Sequence, residues 1–212
     1  MNINRDDLSK LPQRYRANLI NGVAGFKPVN LIGTADAQGH GNLAIFSSVF
    51  HLGASPGLLG MIIRPAPSGT ERHTLDNINN NQHFTINSVA PDIMAKAHQT
   101  SARYPQTVSE FEAVGLTPLW QSNFPAPFVT ESAIQLGMIV RQITPIALND
   151  TTMVIGEIAH LAIADEWIAE DGSVDLYSAG AIVATGLDRY HQVDTGQRYA
   201  YAKPKQVPKK LD

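Results

Sequence analysis

The chain has 212 residues, no cysteine and a formal net charge of -3. Without cysteine there are no disulfides, thiolate metal sites or cysteine nucleophiles, and the slightly acidic balance argues against nucleic acid, which selects a basic face. A hydrophobic content of 43% with 17% charged residues is that of an ordinary globular chain, long enough to bury a full core.

In chain order, Met1 to Asp7 lacks the apolar core of a signal peptide, and no later apolar run is long enough to span a bilayer. A cytoplasmic setting and no membrane partner are expected. A short helix is expected over Pro12 to Leu19, with Ser9 as a cap and Pro12 in the first turn. Val29 to Asp36 reads as a strand, Ala37 to Gly41 as a turn, and Asn42 to Phe50 as a second strand, together a hairpin. In that second strand Asn42, Ala44, Ser47 and Ser48 fall where a wholly structural strand would place bulk, so something other than side chains is expected to pack there.

After Ser55-Pro56, Leu58 to Arg64 is an apolar strand ending on a cation, and Arg72-His73-Thr74 opens a short helix running to Asn80. Cations and hydroxyls gathered at a strand end and a helix N-terminus make an anion site. Phe84 to Val89 is expected as a strand and Pro91 to His98 as a helix. From Thr100 to Pro127 the pattern weakens, with only Val108 to Ala113 helical, and the stretch reads as an excursion over a ligand mouth or a partner surface. Ala133 to Ile143 and Thr151 to Ile163 form a hairpin around Asn149-Asp150. Asp165 to Gly172 is polar, Ala181 to Tyr190 returns as one apolar segment, and Lys203 to Lys210 is a basic, solvated tail. The expected division is an N-terminal helical extension over 1–24, one domain over 25–202 and a basic C-terminal tail over 203–212.

Two motifs match a pattern and fail on chemistry. Gly53-Ala54-Ser55-Pro56-Gly57 has the Gly-x-Ser-x-Gly form, but the residue after a serine nucleophile must donate its N–H to the oxyanion and Pro56 has none. Gly39-His40-Gly41-Asn42-Leu43-Ala44 has the form of a dinucleotide fingerprint, yet it leads into a strand, and no acidic residue stands between Asp36 and Glu71. The seven histidines show no paired ligand spacing, so no metal is expected; His73 differs by standing beside Arg72 and Thr74.

The order Pro28-Val29-Asn30-Leu31, Gly39 to Ser47, Phe50, Ser55-Pro56, Thr74-Leu75-Asp76-Asn77-Ile78, Phe84 to Asn87, Gly156-Glu157-Ile158 and Gly186-Leu187-Asp188-Arg189-Tyr190 resembles the flavin reductase-like family of FMN-binding split β-barrels. The resemblance covers roughly residues 25 to 202. It implies a mainly β fold, a split barrel of antiparallel strands with short peripheral helices. It further implies a homodimer and non-covalent FMN that takes hydride from NADH or NADPH. The cofactor-binding set it points to is Asn42, Ala44, Ser47, Ser48, Arg64, Arg72, His73, Thr74 and Tyr190, with no side chain asked to do covalent chemistry. Singly these residues have plainer readings: Ser47 and Ser48 as edge hydroxyls, Arg64 paired with Glu71, Thr74 as a helix cap, Tyr190 as a core or interface residue. A rival implied by the same family is an electron carrier of the flavoredoxin type, which exchanges electrons with a redox protein partner.

Overall fold

The computed structural model describes residues 1–66 and 73–211. The chain opens with two helices, α1 (Arg5–Lys10) and α2 (Gln13–Val23), neither of which buries a residue. Asn4 caps α1, its side chain accepting the N–H groups of Asp6 and Asp7 while the Asp7 carboxylate accepts the Asn4 N–H in return; the cap expected at Ser9 for the second helix is not formed, and α2 has no side-chain cap. Ser9 instead belongs to α1, where its hydroxyl donates to the Asp6 carbonyl, and Pro12 stands just before α2 as its N-cap.

A seven-stranded antiparallel sheet carries the fold. It is built from β2 (Asn30–Ala35), β3 (Gly41–Phe46), β4 (Val49–Ala54), β5 (Gly57–Ile63), β6 (His83–Ser88), β9 (Gln135–Ile146) and β10 (Thr151–Ala162), in the order β3-β2-β6-β9-β10-β5-β4. The β2–β3 turn is set by Asp36, whose Oδ1 accepts the N–H groups of Gln38 and His40, while Gly39 takes the left-handed φ of +85°. Between β5 and β6 lies the helix α3 (His73–Asn81).

Consecutive strands β3 and β4 occupy opposite edges of this sheet. In a flat sheet the six intervening gaps would hold them about 29 Å apart, whereas Ser47 and Ser48 allow at most about 11 Å from Phe46 to Val49. The sheet is therefore rolled, and its edges meet at Ser47–Ser48 without pairing: a split barrel. This corrects the expected single strand from Asn42 to Phe50. The chain leaves one edge at Phe46, bends, and enters the other at Val49, with the Ser48 hydroxyl donating to the Ile62 carbonyl at 2.7 Å.

Inside the barrel Ile32, Met61, Ile63, Phe84, Met138 and Val154 pack with Ile78 of α3, each contributing about 1.5–3 kcal/mol of burial. Outside, Leu31 and Leu43 pack against a second layer formed by α4 (Met94–Gln99) and α5 (Glu110–Val114). Strand β2 is thus covered on both faces, which explains its unbroken burial from Leu31 to Ala35. The expected helix from Pro91 starts later, at Met94, after a turn.

Two smaller sheets complete the chain. β1 (Lys27–Pro28), β11 (Ile182–Thr185) and β12 (Arg189–Gln192) form one, so the stretch Ala181 to Tyr190 is a hairpin turning at Gly186, where φ is +63°, and not one continuous segment. β7 (Pro118–Gln121) and β8 (Phe124–Val129) form the other, inside the stretch expected to be an excursion. Ala126 at the end of that stretch, and Phe128 and Val129 just beyond it, are fully buried against this chain, so the excursion closes on the core. A short 3-10 helix, Asp165–Trp167, precedes β11. Among the described residues no helix is long and apolar enough to cross a membrane.

Candidate functional site

A cavity of about 770 Å³ opens along the barrel seam. Its walls come from both sides of the split: Asn42, Ala44 and Phe46 from β3, Ser47 and Ser48 from the bend, Ile62 and Ile63 from β5 with Arg64 just after it, and His73 and Thr74 from the first turn of α3. Over it lie residues Thr100 to Gln106 and the β11–β12 hairpin, which contributes Ala184, Leu187 and Tyr190. The expected residues Asn42, Ala44, Ser47, Ser48, Arg64, His73, Thr74 and Tyr190 are therefore brought to one cavity. Arg72 and Glu71 lie outside the described residues.

Strand β3 is half-exposed along nearly its whole length because short side chains leave room beside it. Asn42 donates to Thr34 Oγ1 at 3.2 Å and to Thr74 Oγ1 at 3.3 Å, and Asn77 donates to the same Thr34 oxygen at 3.1 Å. These bonds tie α3 to the barrel wall. Because the buried Thr74 oxygen is already accepting, its own proton is left to donate elsewhere. Arg64 stands just past the end of β5, exposed, with one guanidinium nitrogen 3.4 Å from Asn21 Oδ1 of α2.

Glu110 lines the same cavity and was not anticipated. It is buried because α5 seals the free edge of β3: Ser109 Oγ donates to the Gly41 carbonyl at 2.7 Å, and Glu110 accepts the Leu43 N–H at 3.0 Å. Burial pushes the Glu110 carboxyl above the usual range, with the Leu43 bond and the neighbouring His73 charge pulling partly back. Glu110, Asn42 and His73 also face an adjoining cavity of about 700 Å³ that reaches Trp120. Tyr190 pairs with His98, its hydroxyl 2.7 Å from Nδ1, and burial, then the charge of Asp188, raises its phenol above the usual range. Glu110 carried no pattern that foretold its burial, since its edge-capping role appears only once β3 is known to be an edge.

The Flavin reductase like domain family matches residues 26–183. A candidate flavin reductase with a split barrel domain from Shewanella frigidimarina is 46% identical, with a TM-score of 0.90 over 95% of this chain and 100% of that one. The flavoredoxin of Desulfovibrio vulgaris superposes with a TM-score of 0.69 at 20% identity over 86% and 92% of the two chains. An FMN-binding protein from Thermus thermophilus superposes with a TM-score of 0.66 at 14% identity over 79% and 86%.

Proposed function

This chain belongs to the family of flavin reductase-like domains, and on that premise we propose that the seam cavity binds FMN non-covalently and that the protein is an NAD(P)H-dependent flavin reductase. One observation carries the reading: a single cavity joins the small-residue strand β3 to Arg64, His73 and Thr74. The donor set suits the ligand. A phosphate dianion needs several donors, and a guanidinium, a threonine hydroxyl that accepts from Asn42 and keeps its own proton to donate, and a histidine ring line that cavity. A flat ring needs a slot with polar groups on one edge, and Ala44, Ser47 and Asn42 leave that slot along β3. The volume of about 770 Å³ lies within the roughly 300–1,000 Å³ of small-molecule sites.

When bound, FMN supplies a two-electron centre that takes hydride from NADH or NADPH. In this proposal the chain's residues bind and orient. Arg64 and Thr74 hold the phosphate, β3 sets the plane of the ring, and Tyr190 with residues Thr100 to Gln106 limits water at the mouth. A cytoplasmic setting, where nicotinamide cofactors are supplied, belongs to the same reading. So does a homodimer, supported by Val23 at 72% and Phe26 at 67% exposure, apolar surface that a second copy would cover.

The likeness to a flavoredoxin favours a second reading, an electron carrier that retains FMN and passes electrons to a redox protein. One pair of measurements separates them. The reductase reading expects added FMN to trigger NADH or NADPH consumption by purified protein. A protein that purifies yellow and consumes neither nicotinamide cofactor is a carrier, and one that neither binds flavin nor consumes NADH or NADPH with it is neither.

A further inference from the structure

We propose that Lys27 and Arg64 together form a paired-cation site for a nucleotide phosphate at the rim of the cleft, with Lys27 as a ligand-binding residue in its own right. This rests on the flavin reading of the cavity. The Lys27 ammonium lies 3.5 Å from Asn21 Oδ1, the same oxygen that Arg64 approaches at 3.4 Å. Asn21 is held for this: its amide nitrogen donates to the Ala17 carbonyl at 2.8 Å, which turns its oxygen toward the two cations.

One neutral amide oxygen cannot offset two positive charges. Among the described residues neither cation is paired with a carboxylate. Burial, and then the charge of Arg64, lowers the Lys27 ammonium below the usual lysine range, so the two cations disfavour one another as they stand. An anion between them removes that penalty. Lys27 also reaches the rim by the fold itself. In the β1–β11 ladder it stands opposite Ala184, and its ammonium donates to the Gly186 carbonyl at 2.8 Å; Ala184 and Leu187, the residue after Gly186, both line the cavity.

Two phosphates could occupy the site: that of the flavin, or one belonging to the nicotinamide dinucleotide. The test compares wild type, Lys27→Gln and Lys27→Arg for dissociation constants of FMN and riboflavin and for KM of NADH and NADPH. If the site takes the flavin phosphate, Lys27→Gln weakens FMN about ten-fold or more and leaves riboflavin unchanged. If it takes the dinucleotide, both flavins bind as before while KM rises by a similar factor at constant kcat. In either case Lys27→Arg restores most of the loss. The proposal is overturned if Lys27→Gln changes none of these, or weakens FMN and riboflavin alike, the result of merely loosening the tie to Gly186. Should wild type bind neither flavin, the flavin reading fails on its own. The paired site then stands or falls on whether inorganic phosphate, at matched ionic strength, raises the Tm of wild type and not of Lys27→Gln.

Discussion

Arg64 and Thr74 face the cleft from different elements and should fail in different ways. Arg64 is exposed and, among the described residues, bonded only to an amide, so Arg64→Ala removes a charge-assisted ligand contact and little else. The expected loss is about 1.5–3 kcal/mol, or ten- to a hundred-fold, in FMN affinity, with riboflavin unaffected. Thr74 is buried and also receives the Asn42 amide, so Thr74→Val should weaken FMN more mildly while costing about 1 kcal/mol of stability. Equal effects on the two flavins, read by fluorescence titration, would place the phosphate elsewhere. Glu110 carries a pH signature. Its folded carboxyl titrates above the ordinary value of 4.5, so between that value and its folded one the native state binds more protons than the unfolded chain. Its contribution to stability therefore falls as pH rises through that window. Glu110→Gln keeps an acceptor for the Leu43 N–H without the buried charge. Melting curves across pH should show the variant gaining on wild type from acid toward neutral pH; a constant difference would mean that Glu110 titrates alike in the folded and unfolded chain.

At the scale of elements, the hairpin β7–β8 is bound to the barrel where no side chain can stand. A Cβ on Gly33 would overlap the Pro127 carbonyl oxygen and sit 2.5 Å from Thr85 Oγ1, and that hydroxyl itself donates to Pro127 O at 2.6 Å. Gly33→Ala should destabilise the protein by at least about 2 kcal/mol in denaturant unfolding, and a change below about 0.5 kcal/mol would mean that β8 gives way easily. The same contact shows what was legible in advance. Strands β2, β5, β6, β9 and β10 stood out because their apolar runs end in glycine, proline or Asn-Asp turns. Strand β8 did not, because Phe124 to Val129 carries two prolines that speak against a strand, and only its edge position in a two-stranded sheet tolerates them. The bend at Ser47–Ser48 was equally silent, since the residues on either side keep strand character and only closure of the barrel breaks the run there.

For the whole molecule, the seam makes the site: a closed barrel would have filled its interior, whereas the seam left by the unpaired edges opens a cleft walled by β3, the Ser47–Ser48 bend and the end of β5. Much of that site could be read beforehand because its residues cluster in two short stretches around Asn42 to Ser48 and Arg64 to Thr74. Glu110, Lys27 and His98 could not, since each arrives from a distant part of the chain through the outer layer. Burial of Phe111, Leu116 and Ala126 within one chain shows that the stretch from Thr100 to Pro127 covers itself better than its composition suggested. The apolar surface of α2 and Phe26 is now the stronger reason to expect a second copy. Light scattering should give about twice the 23.0 kDa chain mass, and a monomer at micromolar concentration would refute the dimer without touching the cleft. The central claim is the flavin in the seam, and titrating FMN into the purified protein while following flavin fluorescence tests it most directly. Saturable quenching, with a dissociation constant below tens of micromolar, is the predicted result; no quenching up to roughly that concentration would contradict it.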